Sequence, residues 1–196
     1  MMGWSLSALG DVEITPFAGY QFGSDIQLQS NAFASDDQLR FAASPSVGVI
    51  LNGDLQEPGK QFQLYYSRQE TRGEVDRPET FSGVHRFDVT LERLQFGGLY
   101  LPGGGQSGGF VDGTLGITRL APGEGGLKTD YRPSLALGGG YKWLLQPHWG
   151  LRFDLRLIFT DLDTDAAIFC SGGCSARVHS SGFVQVETGL GMVVRF

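Results

Sequence analysis

Apolar side chains recur at every second position over most of the chain, and this alternation limits the fold more than any other feature. In the closing stretch "GLGMVVRF", Leu190, Met192, Val194 and Phe196 share one face of an extended segment. A period of two is typical of β-strands, because successive side chains point to opposite sides of a sheet. We identify eight such segments, at 12–23, 41–52, 60–72, 86–101, 111–118, 131–143, 149–160 and 184–196. The sequence therefore predicts an all-β protein with eight strands.

The fourth segment changes phase near its middle. Its apolar residues are first Phe87, Val89 and Leu91, and then Leu94, Phe96 and Tyr100. A β-bulge adds one residue to a strand and would return all six to one face. We predict such a bulge at Glu92–Arg93, with Asp88 and Glu92 on the polar face.

The connections between the segments alternate in length. The short ones lie near 53–59, 102–109 and 144–148, and the mostly longer ones near 24–40, 73–85, 121–129 and 161–181. Outer-membrane barrels have short periplasmic turns, longer extracellular loops and tilted strands of about 9–11 residues across the bilayer. We expect a single domain over residues 1–196 with both termini on the short-turn side and 1–11 as a periplasmic segment.

The composition of the two faces separates a membrane barrel from a soluble one. One face is apolar and nearly uncharged, whereas the other carries Gly, Ser, Thr, Gln and ionic side chains. A soluble eight-stranded barrel buries its apolar face inside and turns its polar face to water. Here lipid outside and a polar lumen satisfy both faces, whereas water outside does not. The barrel must also be closed, because unpaired strand edges are too costly in hydrocarbon. The pattern favours a closed antiparallel eight-stranded transmembrane β-barrel with a polar lumen.

Charge and hydropathy exclude several other classes of protein. The chain has a formal net charge of -6 and no cluster of Lys and Arg, which argues against a nucleic-acid partner. No run of about 18 apolar residues is present, so we predict no transmembrane helix. The start "MMGWSLSALG" lacks the basic and long apolar regions of a signal peptide, and we interpret the chain as a mature form. We expect no cofactor.

Short motifs spread along the chain resemble those of known outer-membrane barrels. The stretches "EITPFAGYQFG", "LYYSRQET", "GTLGITRLAP", "LGGGYKW", "GLRFDLR", "IFCSGGC" and the closing "RF" are similar to a group of proteobacterial barrels. The overall plan resembles that of the OmpA transmembrane domain, OmpX and OmpW. The resemblance implies a place in the outer membrane of a Gram-negative bacterium, and it implies no particular activity. The C-terminal Phe196 with its alternating apolar residues resembles the signal read by the machinery that inserts outer-membrane barrels.

Charged residues on the polar face are nearly balanced, which favours ion pairs that fill the lumen over a channel selective for one sign of charge. The predicted inward acids are Glu13, Asp88, Glu92, Asp112, Asp154 and Glu187, and the inward bases are Arg132, Lys142, Arg152, Arg156 and Arg195. Charges inside a narrow barrel need partners. From the estimated strand register we predict two pairs, Arg156 with Glu187 and Glu13 with Arg195.

The stretch "FCSGGCS" places Cys170 and Cys174 in the last long loop, and we predict a disulfide formed in an oxidising compartment. A metal pair with His179 is the alternative, although no fourth ligand is evident. His179, Ser181 and Glu187 also have the residue types of a hydrolase triad, but their phase points inward, away from a lipid substrate. We therefore expect neither a metal site nor an enzyme.

Two functions remain open from the sequence. The first is a monomeric barrel with a plugged lumen that acts as a structural or surface-interaction protein, with lipid, lipopolysaccharide or another surface ligand as its partner. The second is a narrow channel for small solutes, which the small inward residues such as Gly138 and Gly189 would favour.

Overall fold

The computed structural model describes residues 11–23, 25–29, 36–75, 85–122, 129–161 and 183–196. Ten β-strands lie in these ranges: β1 (Val12–Phe22), β2 (Asp25–Gln29), β3 (Asp36–Phe41), β4 (Ser44–Asp54), β5 (Lys60–Val75), β6 (His85–Tyr100), β7 (Gly108–Pro122), β8 (Asp130–Gln146), β9 (Trp149–Thr160) and β10 (Phe183–Arg195). Within the same ranges, no helix is long and apolar enough to cross a membrane.

Eight of the ten strands, β1 and β4–β10, form a closed antiparallel barrel. Each pairs with the next one along the chain, and β10 returns to pair with β1 from Glu13 opposite Arg195 to Phe22 opposite Val186. Closure leaves no barrel strand with an unpaired edge, as a structure surrounded by lipid requires. The prediction of an eight-stranded transmembrane barrel is confirmed.

The strands are strongly tilted, and the pairing register shows by how much. A row of paired residues that starts at Arg68 on β5 and passes through β6 and β7 reaches Tyr131 on β8. The row that leaves Arg68 in the other direction reaches Tyr141 on the same strand, ten residues away. A stagger of this size in an eight-stranded barrel corresponds to a strand tilt of about 40° and an interior that side chains can fill.

Three short turns join the strands at one end of the barrel, between β4 and β5, β6 and β7, and β8 and β9. Gly59 and Gly104 adopt φ angles of +76° and +65° in the first two turns, and these are conformations that side chains other than glycine rarely accept. Both ends of the barrel sheet lie at this end as well, because the backbone N–H of Phe196 donates to the carbonyl of Val12. This is the periplasmic end, as the pattern of loop lengths predicts.

The predicted bulge in β6 is wrong. The strand pairs without interruption with β5 from Tyr100 to His85 and with β7 from Tyr100 to Val89. The strict alternation therefore continues, so that Val89, Leu91 and Arg93 face the lumen and are buried. Apolar residues can face inward here because this part of β6 lies towards the extracellular end of the lumen.

The barrel sheet extends beyond the extracellular rim on one side. Strands β2 and β3 form a hairpin within the segment predicted as the first long loop, and β3 continues the pairing on β5 from Leu39 opposite Val75 to Phe41 opposite Gly73. The β5–β6 pair itself reaches Val75 opposite His85. The β2–β3 hairpin and the β5–β6 pair are thus joined in a projecting sheet that the sequence pattern did not indicate.

The two faces of the barrel have opposite character. Large apolar side chains on the outer face are exposed on every barrel strand, among them Tyr20, Val47, Phe62, Phe96, Leu115, Leu137, Phe153 and Leu190. The lumen instead buries polar and charged side chains. A continuous exposed apolar belt fits a hydrocarbon surrounding, and aromatic residues such as Trp143, Trp149 and Tyr131 lie near its edges.

Candidate functional site: the barrel lumen

The periplasmic third of the lumen is closed by a fully buried ion pair. The ammonium of Lys142 on β8 donates to both carboxylate oxygens of Glu13 on β1, at 3.0 and 2.8 Å, and to the side-chain carbonyl of Gln61 at 3.1 Å. Neither charged side chain is exposed. All three ammonium protons therefore have an acceptor, which a charge removed from water requires.

A second pair lies next to it at the periplasmic mouth. The guanidinium of Arg195 contacts the carboxylate oxygens of Asp11 and Asp54 at 2.6 and 2.9 Å. Gln61 donates to Asp54 at 2.6 Å and so connects this pair to Lys142. Both acids are partly exposed to solvent, so this network lies at the boundary between the lumen and the periplasm.

The middle of the lumen holds alternating charges. Arg152 on β9 donates to both oxygens of Asp154, at distances from 2.8 to 3.1 Å. Arg156 lies 3.2 Å from Asp154 and 3.0 Å from Asp112 on β7. Two amide side chains, Asn52 and Gln63, accept from Arg152, and Gln63 also donates to Asp112. These contacts connect four strands across the barrel axis.

The next level of the lumen, on the extracellular side of the middle, contains an acid whose hydrogen-bond donors are all neutral side chains. Glu187 on β10 accepts hydrogen bonds from Gln21, Ser46 and Tyr65. Arg93 lies nearby and donates to Gln21 at 2.9 Å, and also to a second amide, Gln185. Within the described residues no carboxylate lies within 4.0 Å of Arg93.

Aromatic rings complete the packing of the two central arginines. The guanidinium of Arg152 lies 4.5 Å from the ring centroid of Phe110, and that of Arg156 lies 4.4 Å from the ring of Tyr65. Tyr65 stacks in turn on Phe17 at a centroid distance of 5.6 Å. Such cation–π contacts are favourable for arginine in a desolvated site.

Inward glycines make the space that these long side chains occupy. A Cβ on Gly138 would lie 2.9 Å from Cγ of Arg156, and one on Gly48 would lie 2.6 Å from the ring of Phe17. A side chain at either position would displace the plug. The small residues at these inward positions therefore leave room for the long side chains in the lumen.

The lumen is not completely satisfied by protein groups alone. Several buried polar atoms have no hydrogen-bond partner within the described part of the protein, including Oε1 of Gln69, Nε of Arg93 and Nε2 of Gln185. Buried groups of this kind are commonly bonded to ordered water. This layer of the lumen is chemically suited to hold water.

The structure brings together some of the residues that the sequence singled out, but not in the predicted pairs. Arg156 and Glu187 are opposite each other on β9 and β10, and Glu13 is opposite Arg195 on β1 and β10. Their side chains nevertheless contact other partners, Asp112 and Asp154 for Arg156 and Lys142 for Glu13. The predicted pairing is therefore wrong in both cases. Lys142 on β8 reaches Glu13 across the narrow lumen, whereas Arg156 contacts Asp154 on its own strand and Asp112 over Gly138, which has no side chain to separate them.

Two of the predicted lumen acids lie outside the barrel. Asp88 is 81% exposed and pairs with Arg72, and Glu92 contacts Arg68 and Arg119 on the outer face. This follows from the absent bulge, which leaves the even-numbered residues of β6 facing outward. The other predicted acids and bases face inward, and Arg132 pairs with Asp130 at the extracellular rim.

Sequence reasoning missed Arg93, one of the largest fully buried side chains. Uninterrupted alternation from Leu91 to Gln95 would have placed it inside. Cys170 and Cys174, and also His179 and Ser181, lie outside the described residues, and the disulfide stays a prediction.

Comparison with known proteins rests on structure. No family model matches the chain, and no curated protein shows significant similarity to it.

Solved structures do match. Neisserial surface protein A (NspA) superposes with a TM-score of 0.60 at 14% identity, covering 95% of this chain and 99% of that one. The outer-membrane protein OprG from Pseudomonas aeruginosa gives 0.58 at 17% identity, covering 95% and 96%. The chain is an eight-stranded outer-membrane β-barrel.

The outer-membrane protein AlkL, solved in lipid bilayers, is also similar to this barrel, with a TM-score of 0.54 at 12% identity and coverage of 100% and 95%. The shared fold and the exposed apolar belt place the barrel in the outer membrane of a Gram-negative bacterium, as the sequence predicts. Identities this low establish the fold and leave the activity to be argued from the lumen and the surface.

Proposed function

We propose that the barrel is a plugged, non-enzymatic outer-membrane protein that acts through its extracellular surface. The observation that carries this proposal is the filling of the lumen. Among the described residues, the five largest fully buried side chains are Arg93, Arg152, Arg156, Tyr65 and Lys142, and all five point into the barrel. Their contacts connect opposite walls at three levels, so a solute would have to break several buried ion pairs to pass.

An apolar layer above the polar network adds a second obstacle. Val89, Leu91, Leu120 and Phe183 are all buried on the inward face towards the extracellular end. These side chains narrow the lumen at a level that also contains the buried polar side chains of Gln69 and Thr71, which are paired with Leu91 and Val89. The polar plug and the apolar layer together support a structural role over conduction.

The extracellular side offers the surface for interactions. The hairpin of β2 and β3 extends the sheet beyond the rim, and it is continuous with the long β5–β6 hairpin. Because side chains fill this lumen, it has no room for a ligand, and a partner would bind to the projecting segments and loops. We propose lipopolysaccharide or another surface ligand as the partner, the monomer as the functional unit, and Phe196 as part of the signal for the insertion machinery.

A narrow channel is the alternative, and the unpaired polar atoms support it. Oε1 of Gln69, Nε of Arg93 and Nε2 of Gln185 would suit a short file of water in the upper lumen. A water file that reached both mouths would allow small polar solutes to cross.

Planar-bilayer conductance tests the two functions against each other. The wild type should be silent, and Arg152→Ala/Arg156→Ala alone should stay silent, because Lys142 and Glu13 still close the periplasmic third of the lumen. Adding Glu13→Ala/Lys142→Ala to that variant should produce single-channel steps, because the charged side chains of two successive levels are then removed. Heat-modifiable gel mobility verifies that each variant is folded. Reproducible steps from the wild type that Gly138→Val reduces would overturn the plugged-barrel proposal in favour of the channel.

A further inference from the structure

The outer wall of the barrel has a cavity near its periplasmic end. It has a volume of about 520 Å³ and lies where β6, β7 and β8 meet the first periplasmic turn. Among its lining residues are Lys60, Gly98, Tyr100, Val111, Gly113 and Leu137. Most of the side chains around it are apolar, and these six lining residues lie on the outer face of the barrel.

The floor of the cavity is formed by two glycines that face each other. Gly98 on β6 is paired with Gly113 on β7, and the row continues to Phe62 on one side and Leu137 on the other. The next row towards the periplasm consists of Lys60, Tyr100 and Val111. The depression therefore opens from the apolar belt down to the level of Lys60.

No internal packing requires glycine at these two positions. A Cβ on Gly98 would meet nothing closer than the carbonyl oxygen of Gln61 at 3.7 Å, and one on Gly113 nothing closer than Cδ2 of Leu137 at 3.6 Å. The inward Gly48 and Gly138 differ, because a Cβ there would collide with neighbouring side chains. Neither outward glycine has a positive φ angle.

Glycine weakens a strand interior, and β-branched or aromatic residues stabilise a half-exposed sheet surface. Glycine at these two outward positions therefore lowers the local stability of the strands, and no packing contact inside the protein requires it. A groove left open in a wall that faces lipid is suited to an acyl chain, because that is the apolar group present at this depth.

A pair of opposite charges lies at the periplasmic edge of the cavity. The ammonium of Lys60 donates to the carboxylate of Glu57, and the two side chains are 48% and 69% exposed. A headgroup with both a phosphate and an ammonium matches this pair, since the phosphate would accept from Lys60 and the ammonium would donate to Glu57. Glu57 disfavours a headgroup that carries only negative charge.

We propose that this cavity binds one phospholipid of the periplasmic leaflet, with an acyl chain over Gly98 and Gly113 and a zwitterionic phosphoethanolamine-type headgroup at Lys60 and Glu57. The site lies on the outer wall at the periplasmic end, away from the extracellular surface, and its lining shares Gln61, Asp112 and Gly138 with the wall of the lumen. It would give the barrel a fixed lipid neighbour at one position on its wall.

Native mass spectrometry of the folded barrel tests the proposal. The protein is folded in vesicles that contain phosphatidylethanolamine and phosphatidylglycerol and is then transferred to a mild detergent. The wild type should retain one phosphatidylethanolamine. Filling the floor with Gly98→Val/Gly113→Val should lower that retention at least about fivefold, because the acyl chain loses its apolar contact area. Thermal stability should be equal or higher, since valine suits an exposed strand.

The matched control is Ala18→Val, which adds bulk to the outer face of β1 away from the cavity and should retain lipid as the wild type does. Glu57→Gln/Lys60→Gln should keep lipid bound but remove the preference for phosphatidylethanolamine. If the valine pair fails to fold, Gly98→Ala/Gly113→Ala provides the same comparison with a smaller loss. A wild type without retained lipid, or valine variants that retain as much as Ala18→Val, would overturn the proposal.

Discussion

The buried pair of Lys142 and Glu13 provides the most direct test of the plug. Replacing Lys142 by Met keeps the apolar stem and removes the ammonium together with three hydrogen bonds, at 2.8, 3.0 and 3.1 Å. Glu13 then keeps a charge in a site where neither side chain has any exposed surface. Removing one partner of a buried pair destabilises a protein by roughly 3–5 kcal/mol. We expect about 3 kcal/mol, because the neighbouring periplasmic mouth gives water a route to the stranded carboxylate.

The double change Glu13→Gln/Lys142→Met should recover part of the loss. A neutral amide costs only roughly 1–2 kcal/mol when it is incompletely bonded. The coupling free energy between the two positions should therefore be at least about 1.5 kcal/mol. Reversible urea unfolding of the barrel in lipid vesicles, followed by tryptophan fluorescence, measures all four free energies of unfolding.

The chain has its own matched control for this cycle. Arg68 and Glu70 form an exposed pair of opposite charges on the surface, with 49% and 74% of their side chains exposed. Arg68→Met should cost no more than about 1 kcal/mol, as is usual for exposed pairs. Equal losses for Lys142→Met and Arg68→Met, or additive effects of Glu13→Gln and Lys142→Met, would refute the idea that the lumen holds desolvated ion pairs.

Two further predictions concern the middle of the lumen and the last loop. In double-mutant cycles, the coupling free energy between Arg156→Met and Asp112→Asn should be about 1–3 kcal/mol, because the guanidinium contacts Asp112. The coupling between Arg156→Met and Glu187→Gln should be much smaller, because the two side chains are not in contact. A stronger coupling to Glu187 would contradict the structure. Cys170 and Cys174 should form a disulfide in protein folded in an oxidising compartment, so that reduction raises the mass by two hydrogen atoms, whereas free thiols before reduction would show that the bridge is absent.

The error in β6 shows where the sequence pattern reaches its limit. Alternation shows which residues share a face, but it does not show which medium that face meets. Val89 and Leu91 are apolar, so the sequence pattern places them against lipid, yet in the structure they are buried inside the extracellular end of the barrel. Only their position relative to the membrane boundary distinguishes the two cases, and that position depends on the tilt of the whole barrel.

The periodicity of the sequence and the lengths of its connections determined the eight barrel strands, their order, the outward face of every barrel strand except the extracellular part of β6, and the end at which the short turns lie. A period of two is a local property of an extended chain, and lipid on one side fixes which face is apolar. The tertiary structure decided the partners in the lumen. Glu13 is opposite Arg195 along the wall but bonds to Lys142 from β8. The stagger of ten residues sets the height of each side chain in a narrow barrel, and side chains at equal height meet across the axis whatever their separation in sequence.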